Sequence, residues 1–452
     1  LVPEGATAVE ETDPAVAALK ADRRMVEAIE AAVALYEEPP RESLSLVTPW
    51  GDAVVDAGDW ARAFAAPEPG TPHNEARDQV WAELSLPFPG QHVALDALAA
   101  AATRGECLPG IVSVKTETGH VDMPAFLADT STLEDFTGKK ALRRIGRYSR
   151  MALLGSFLAL RDAGITDPAK ERMGVIIATG YGASRTTFTF LDSFIKGGDS
   201  LSSPTHFSSS VHNAAVAHVS MLLGITGPGL TVSQFGMSVP SALLTARCWL
   251  QEEMVDSVLF GAVDEYCDVL GYCRYRFFGD TAGVSGMNPL DLDVQSAIPG
   301  EGAAFFVLSR GDRVPGYALI EDIHFDKTRD AARAAGRETI LFLAADGHRE
   351  CAASYGRFLS GPSPIACYTP LYGSLPTGQA FDMAIAALAM KRRRYFASPG
   401  HHVKGPGAKI IGNEHVPGGE RIACVKSDGS GWSGFVTIGS SDGEHDGVFR
   451  NT

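Results

Sequence analysis

The stretch with the clearest chemical meaning is residues 230–250, LTVSQFGMSVPSALLTARCWL, which predicts a buried strand, a tight turn and a long apolar helix. A strand that turns directly into the amino end of a helix points free backbone N–H groups and the positive end of the helix dipole at one spot. A thiolate or an oxyanion would be stabilised there, so a nucleophile is expected in the turn. The turn contains no cysteine; its residues are Gln234, Phe235, Gly236, Met237 and Ser238.

The remaining cysteines and histidines predict no second reactive centre. Seven cysteines are scattered without CxxC spacing, which favours buried structural thiols over a metal site. His348 follows a strand-like stretch, where a histidine is more often a surface or hydrogen-bonded residue than a catalytic one. The GYGAS segment supplies only part of a dinucleotide fingerprint. The sequence therefore predicts neither a metal ion nor a bound cofactor.

Bulk composition limits the partners. A net charge of −15 with 21% charged residues argues against general binding to nucleic acid or anionic membranes, although local basic patches can still dock an acidic partner. No apolar run approaches the ~18 residues of a membrane span. An odd number of scattered cysteines suits a reducing cytoplasm, which is the predicted location.

Two basic clusters accompany predicted helices. The first comprises Lys139, Lys140, Arg143, Arg144, Arg147 and Arg150, and the second comprises residues 391–394, including Arg392 and Arg393. Two interpretations remain open at this point. The clusters are either ordinary solvated helix ends that pair with acidic residues, or an edge that docks an acidic carrier protein or its phosphopantetheine phosphate.

The chain from residue 138 alternates helices and buried strands, and this alternation repeats in its second half. One continuous helix with a buried end is predicted over residues 138–164, and a second small-residue helix over residues 378–391. Strands are predicted at 174–180, 257–265, 303–309, 338–345, 364–370, 421–429 and 434–440. Two such halves predict a duplicated layered α/β domain with helices between its sheets.

Taken in order, these motifs resemble those of the β-ketoacyl synthase family of the thiolase superfamily. GVIIATGYGAS is similar to the family's strand and GTG loop, and the segment containing Asn213 is similar to the one that leads to the nucleophile. PLDLDVQSAIPGEGAAFFVLS is similar to the family's PFD and GEGA motifs. The resemblance implies a thiolase-like, duplicated five-layer αβαβα sandwich over 111–452, with halves of about 111–310 and 311–452. Residues 1–110 are expected to form an N-terminal extension and irregular region, part of which can belong to the core.

Members of this family condense acyl chains with malonyl units, using one cysteine and two histidines. The resemblance assigns the cysteine position to Gly236 and the two histidine positions to Asp346 and Gly373. Glycine cannot be acylated, and an aspartate would place negative charge beside a forming enolate. Three replacements in three separate motifs therefore predict that no catalytic residue of the usual kind is present.

The resemblance thus implies an inactive, chain-length-factor-like subunit that pairs with an active β-ketoacyl synthase and works on a phosphopantetheinylated acyl carrier protein. The pocket and partner-facing residues are expected to be Gln234, Phe235, Met237, Ser238, Ser430 and Trp432, the last two in KSDGSGW, which replaces the family's NSFGFGG loop. The residues expected to dock the carrier protein are Lys139, Lys140, Arg143, Arg144, Arg147, Arg392 and Arg393. Two alternatives stay open: an active acyltransferase or decarboxylase that uses a displaced residue such as His348, and a homodimeric binding scaffold.

Overall fold

The computed structural model describes residues 44–48, 51–55, 95–168, 172–197, 203–279, 286–310, 316–327, 339–399, 409–412 and 421–440. The chain divides into two units, Leu1–Pro87 and Phe88–Thr452. In the first unit the described residues form one antiparallel hairpin of β1 (Leu44–Thr48) and β2 (Gly51–Val55). The charged and alanine-rich sequence at residues 13–38 predicts a helix, and this stretch lies outside the described residues.

The second unit begins with α1 (Leu95–Arg104) and an antiparallel hairpin of β3 (Gly110–Thr116) and β4 (Gly119–Ala125). Its first sheet has the order β6-β5-β7-β8. These strands are β5 (Met173–Thr179), β6 (Gly229–Ser233), β7 (Ser257–Asp264) and β8 (Gly302–Ser309). The β5 strand pairs in parallel with β6 and β7, and β8 is antiparallel to β7. Both β5 and β7 are buried along their whole length, as expected of central strands that are covered on both faces.

The second sheet repeats this plan in the order β11-β10-β12-β13-β9. Its strands are β9 (Leu319–Asp326), β10 (Thr339–Leu343), β11 (Ile365–Ala366), β12 (Arg421–Ser427) and β13 (Ser433–Gly439). The β10 strand pairs in parallel with β11 and β12, whereas β13 is antiparallel to both β12 and β9. A parallel centre flanked by an antiparallel edge is thus common to the two sheets.

Helices fill the layer between the sheets and cover their outer faces. These helices are α2 (Lys139–Leu142), α3 (Arg147–Asp162), α4 (Ser184–Gly197), α5 (Pro204–Ser210), α6 (Ala214–Leu223), α7 (Ser238–Gln251), α8 (Asp268–Phe278), α9 (Ala352–Leu359) and α10 (Gly378–Arg392). The α7 and α10 helices contact both sheets, α3 and α6 pack on the outer face of the first sheet, and α9 packs on the outer face of the second. The result is the five-layer αβαβα arrangement of a thiolase-like fold, as the sequence predicted.

Two predictions from the sequence need correction. The helix predicted over residues 138–164 is divided into α2 and α3. Leu142 and Ile145 are already buried before α3 begins, and the end of α3 at Arg161 and Asp162 is exposed. The strand predicted to be buried before the turn is β6, an edge strand with exposed residues, including Leu230 at 36% exposure. An edge strand lacks a neighbour on one side, so its apolar content does not report burial.

Candidate functional site

The turn before α7 is the expected strand-to-helix junction. Phe235–Met237 forms a single 3₁₀ turn, and Phe235 has a φ of 44°, a left-handed conformation that is uncommon for a residue other than glycine. Ser238 is completely buried and holds the turn, because its Oγ accepts a hydrogen bond from the Gln234 N–H at 2.7 Å and donates to the Thr179 carbonyl at 2.7 Å. The backbone that would present a nucleophile is therefore formed around Gly236.

The space beside Gly236 is occupied by Lys426, which extends from β12. A Cβ added to Gly236 would lie 3.4 Å from Cγ and 3.6 Å from Cε of Lys426, which is ordinary van der Waals contact. The side chain of Lys426 is only 4% exposed. The nucleophile position thus carries no side chain of its own and is covered by an aliphatic stem.

The ammonium group of Lys426 is fully satisfied by three acceptors. Its Nζ donates to Asp346 Oδ2 at 3.0 Å, to the Ala344 carbonyl at 3.1 Å and to the Leu375 carbonyl at 3.2 Å. An ammonium group has three N–H donors, so none remains for a ligand. Two of the three positions that the resemblance assigns to catalysis, Gly236 and Asp346, are therefore joined through Lys426.

The pKa of Asp346 is lowered in this environment. Burial alone would raise it, but the charge of Lys426 and the hydrogen bonds from Lys426 and the His348 N–H favour the carboxylate and outweigh burial. Asp346 is thus a paired anion, and it cannot donate a hydrogen bond to a substrate oxygen.

The third position that the resemblance assigns to catalysis, Gly373, has no room for any side chain. Its φ is +86°, and a Cβ there would come within 2.8 Å of Phe126 Cδ2 and 2.9 Å of Gly300 Cα. Close approach to backbone on one side and a left-handed conformation together require glycine. A histidine cannot be accommodated here without rearranging the loop.

His348 lies between these positions and is held by hydrogen bonds. Its Nε2 lies 3.1 Å from Ser374 Oγ and 3.3 Å from an Arg274 guanidinium nitrogen, and its Nδ1 lies 3.1 Å from Gln295 Nε2. Burial lowers the pKa of His348 to about 4; Asp346 opposes this shift, whereas Arg274 and Lys426 add to it. The imidazole is therefore neutral at physiological pH.

Asp264, at the end of β7, ties the loops of both halves together. Its Oδ1 accepts hydrogen bonds from Thr179 Oγ1 and from the backbone N–H groups of Gly180 and Tyr181, at 2.8–2.9 Å. Its Oδ2 accepts from Thr377 Oγ1 at 2.9 Å and from the Thr377 N–H at 3.3 Å. Burial raises the pKa of Asp264 even though all of these hydrogen bonds favour its charged form. This carboxyl group holds the loop after β5 against the loop before α10.

The residues predicted to face a pocket or a partner are placed in different surroundings. Phe235 is 66% exposed and meets Tyr181 edge to face, while Met237 is buried beneath the turn. Gln234 is exposed, and its Oε1 accepts from Ser241 Oγ at 2.6 Å, so it serves the turn itself.

Ser430 and Trp432 lie in the β12–β13 loop and are organised by Asp428. The Oδ1 of Asp428 accepts from the N–H groups of both residues, at 2.9 and 3.0 Å, and from Ser430 Oγ at 2.8 Å. The Trp432 ring is 41% exposed, and the Lys327 ammonium lies 5.5 Å from its centroid.

The first basic cluster separates into structural and exposed residues. Arg147 forms an ion pair with the fully buried carboxylate of Glu301, and Arg150 donates to the carbonyls of Ile145 and Leu142 at 2.9 and 3.0 Å. The exposed members are Lys139, Lys140, Arg143 and Arg144, of which Lys139 pairs with Glu134 at 3.2 Å. Arg392 and Arg393 are exposed at the end of α10. Arg147 is therefore committed to the fold and is not available for docking.

A cavity of about 110 Å³ lies between α3 and β8, and neither Lys426 nor Asp346 lines it. Its wall is mostly apolar and includes Met151, Leu154, Leu158, Phe126 and Phe381. Within the described ranges no cluster of histidine, cysteine or acidic residues could hold a metal ion. The same residues contain no helix that is long and apolar enough to cross a membrane.

The sequence did not single out Lys426, Arg274, Gln295 or Ser374 for the site. A signal for Lys426 was present, since a lysine stands where the resembling loop has asparagine, and Asp346 supplies its complementary charge in another motif. Arg274 lies in a segment without a recognisable pattern, and Gln295 lies between the two matched parts of PLDLDVQSAIPGEGAAFFVLS.

Comparison with known proteins agrees with this architecture. Residues 112–313 match the family model of the beta-ketoacyl synthase N-terminal domain. The chain is 23% identical over 185 residues to 3-oxoacyl-[acyl-carrier-protein] synthase 2 of Vibrio cholerae, covering 39% of this chain and 44% of that protein. The same enzyme of Staphylococcus aureus is 25% identical over 205 residues, covering 44% and 49%. The chain thus spans about half the length of these two relatives. A longer match, 25% identical over 357 residues, covers 68% of this chain and 84% of a putative polyketide beta-ketoacyl synthase 1 of Streptomyces virginiae.

Solved structures share the fold at low sequence identity. The ishigamide ketosynthase/chain length factor superposes with a TM-score of 0.61 at 19% identity, covering 76% of this chain and 94% of that one. A type II ketosynthase in complex with its acyl carrier protein and bound to a hexaketide, AntDE:AntF, gives a TM-score of 0.61 at 15% identity, covering 77% and 96%. A beta-ketoacyl synthase of Burkholderia phymatum gives 0.60 at 18% identity, covering 76% and 95%.

Proposed function

This chain is a relative of the β-ketoacyl synthases, and we propose that it is a subunit without condensing activity that pairs with an active ketosynthase. In this role it resembles a chain length factor: it would contribute to the acyl-binding space of its partner and work in the cytoplasm. Acyl groups would arrive on a phosphopantetheinylated acyl carrier protein, so the chain needs no cofactor of its own.

The observation that carries the proposal is the Lys426–Asp346 ion pair beside Gly236. Acyl transfer needs a nucleophile at the helix amino end and donors aimed at the developing oxyanion. Gly236 supplies no nucleophile, and Lys426 has already used its three donors within the protein. Asp346 is an acceptor only. These contacts support a site that fills space and bears charge rather than one that forms an acyl-enzyme.

Pairing is supported by an apolar surface that surrounds the edge strand β6. Neither α4 nor α5 has a buried residue, although both carry large apolar side chains. The exposed members of this pairing surface are Leu191, Phe194, Ile195, Phe207, Val211, Met221, Leu230 and Phe235. They lie on α4, α5, α6 and β6 or in adjoining loops. Among these elements α4 contacts α5, α5 contacts α6, and α6 contacts β6. A surface of this kind, next to an unpaired strand edge, is typical of an interface between protein chains.

Carrier docking is supported by the exposed residues Lys140, Arg143 and Arg144 on and after α2. Their positive charge stands out on a chain whose net charge is −15. Such a local patch would attract an acidic carrier protein and raise the rate of encounter.

The enzymatic alternative would have to use His348. Its neutral imidazole satisfies one requirement of an oxyanion donor, but a displaced nucleophile would still be needed. The scaffold alternative, a homodimer, would use the same pairing surface. The proposed role explains every observation that would support either alternative, so neither alternative is favoured.

The decisive experiment is co-expression of a tagged chain with a candidate ketosynthase, followed by size-exclusion chromatography and acylation assays. We expect a 1:1 complex in which labelled acyl or malonyl carrier protein labels only the partner. The matched control replaces the partner's nucleophilic cysteine by alanine, which should abolish all labelling. Label on this chain, or carbon dioxide released by this chain alone, would contradict the proposal. A stable homodimer that ignores every ketosynthase would favour the scaffold.

A further inference from the structure

Arg274 is a half-buried cation without a carboxylate of its own. It extends from α8 toward His348, and among the described residues no carboxylate lies within ion-pair distance of it. The acid whose charge acts on Arg274 is Asp346, which is already paired with Lys426. One positive charge therefore remains uncompensated here, and a buried charge is normally paired or bound to a counter-ion.

The hydrogen bonds around His348 determine which of its ring nitrogens carries the proton. Gln295 Oε1 accepts the Arg349 N–H at 3.1 Å, so the Gln295 amide nitrogen faces His348 Nδ1 and donates to it. A neutral imidazole that accepts at Nδ1 carries its proton on Nε2. This proton is satisfied by Ser374 Oγ at 3.1 Å.

The guanidinium group of Arg274 is then left facing another donor. One of its nitrogens lies 3.3 Å from the protonated Nε2 of His348, and its other described acceptor is the Ala297 carbonyl at 3.0 Å. Ser374 Oγ accepts from His348, so its own proton is also free to be donated. Donors from Arg274 and Ser374 thus converge where the described residues supply no acceptor.

We infer that Arg274 and Ser374, with His348 as the group that orients them, form a subsite for an oxyanion, either a carboxylate or a phosphate. A guanidinium fork matches both groups because it can donate two parallel hydrogen bonds. The subsite lies beside Asp346 and Gly373, within the site on which the proposed function rests. It deepens that function by making the vacated centre a place that recognises an acidic ligand rather than one that transfers an acyl group.

The test uses the purified full chain in a chloride buffer that contains neither carboxylate nor phosphate. Malonate, acetate and inorganic phosphate are titrated separately by isothermal calorimetry into the wild type, Arg274→Gln and the control Arg276→Gln. Arg276 lies on the same helix, and its surface ion pair with Glu117 makes it a matched loss of charge. We expect saturable binding to the wild type and to Arg276→Gln, and a loss of at least about tenfold in affinity for Arg274→Gln. If malonate and acetate bind but phosphate does not, the ligand of the subsite is a carboxylate. If phosphate binds but malonate and acetate do not, the ligand is a phosphate.

A second readout guards against a variant that fails to fold. Arg274→Lys keeps the charge but loses the fork, so it should bind with intermediate affinity and unfold at the wild-type midpoint. In ¹⁵N-histidine spectra, His348 should appear as the Nε2–H tautomer. Its nitrogen resonances should shift when whichever of malonate, acetate or phosphate binds is added. Equal affinities for the wild type and Arg274→Gln, or no binding of any of the three anions, would overturn the inference. The proposed pairing would be untouched by that result, because its own test needs no anion.

Discussion

The stem of Lys426 stands over Gly236, with its Cγ 3.4 Å from where a Cβ on that glycine would lie. The residue that fills the nucleophile position thus comes from the opposite half of the fold, in β12. The same lysine pairs with Asp346, so one side chain contacts two of the three positions that the resemblance assigns to catalysis.

The two glycines of the site, Gly236 and Gly373, should tolerate a methyl group very differently. Gly236→Ala meets only ordinary contacts and should change the free energy of unfolding by less than about 1 kcal/mol. Gly373→Ala forces a left-handed alanine against the Gly300 backbone and should cost about 2–4 kcal/mol. Urea unfolding followed by circular dichroism measures both. Equal costs would mean that the loop at Gly373 opens easily and could admit a histidine.

The Lys426–Asp346 pair should show strong energetic coupling. Lys426→Met leaves a buried carboxylate without its partner and should cost about 3–5 kcal/mol. The double variant Lys426→Met with Asp346→Asn should recover at least about 2 kcal/mol relative to the sum of the single variants. Lys196→Met, which removes an exposed pair with Asp192, is the control and should change stability by less than about 1 kcal/mol. If the buried and exposed variants cost the same, the pair does not hold the site together.

His348 should make the protein less stable in mild acid. Its folded pKa of about 4 lies below its ordinary value of 6.5, so between these pH values the unfolded chain binds more protons than the folded one. The free energy of unfolding is therefore not reduced by His348 above pH 6.5, and it falls by up to about 3 kcal/mol as the pH approaches 4. The difference in unfolding free energy between the wild type and His348→Gln, measured from pH 7.5 to 4.5, isolates this effect. Replacing the exposed His120 by glutamine is the control, and an equal slope for the two variants would contradict the assignment.

Charge on the pairing surface should prevent association. Ile195 and Phe207 are 77% and 60% exposed, so aspartate at both positions should leave the fold intact. It should weaken binding to the ketosynthase partner at least about 100-fold, because two apolar anchors are lost and two charges would be buried. Analytical ultracentrifugation of the mixture measures this. Met254→Asp, an equally polar change on an exposed apolar residue beyond α7, should bind normally. Unchanged association of the double variant would place the interface elsewhere.

The basic residues near α2 should divide into docking and structural groups. Arg143→Glu with Arg144→Glu should weaken binding of an acidic carrier protein about tenfold at low salt, and the difference should shrink as salt screens the charges. Arg147→Ala should instead lower stability by about 3 kcal/mol, since it leaves the buried Glu301 carboxylate without its ion-pair partner. Surface plasmon resonance and thermal unfolding separate the two effects. A carrier affinity that is unchanged by the double reversal would rule out this patch as the docking edge.

The layered fold was predictable because local hydrophobic patterns in the sequence identify its central strands and helices. Continuous apolar runs predicted β5, β7 and β10, and the small-residue stretch before Lys391 predicted α10. The break between α2 and α3 was not predictable in this way. It depends on Arg150, whose side chain satisfies the carbonyls of Leu142 and Ile145 and so replaces the continuing helix.

The residues that fill the candidate site could not be predicted from the sequence. Gly236, Asp346 and Gly373 follow from motif positions, but what occupies the space depends on contacts between distant residues. Lys426 and Asp346 are 80 positions apart, and no local window relates them. The exposure of β6 likewise depends on which strands pair, which its apolar sequence does not specify.

Asp264 holds the two loops of the site together independently of the three positions that the resemblance assigns to catalysis. The five hydrogen bonds that its carboxyl group accepts come from Thr179, Gly180, Tyr181 and Thr377, none of which is one of those three positions. A change of side chain at Gly236, Asp346 or Gly373 removes none of these five donors. The alignment of the loop after β5 with the loop before α10 is therefore separate from whatever chemistry the three positions provide.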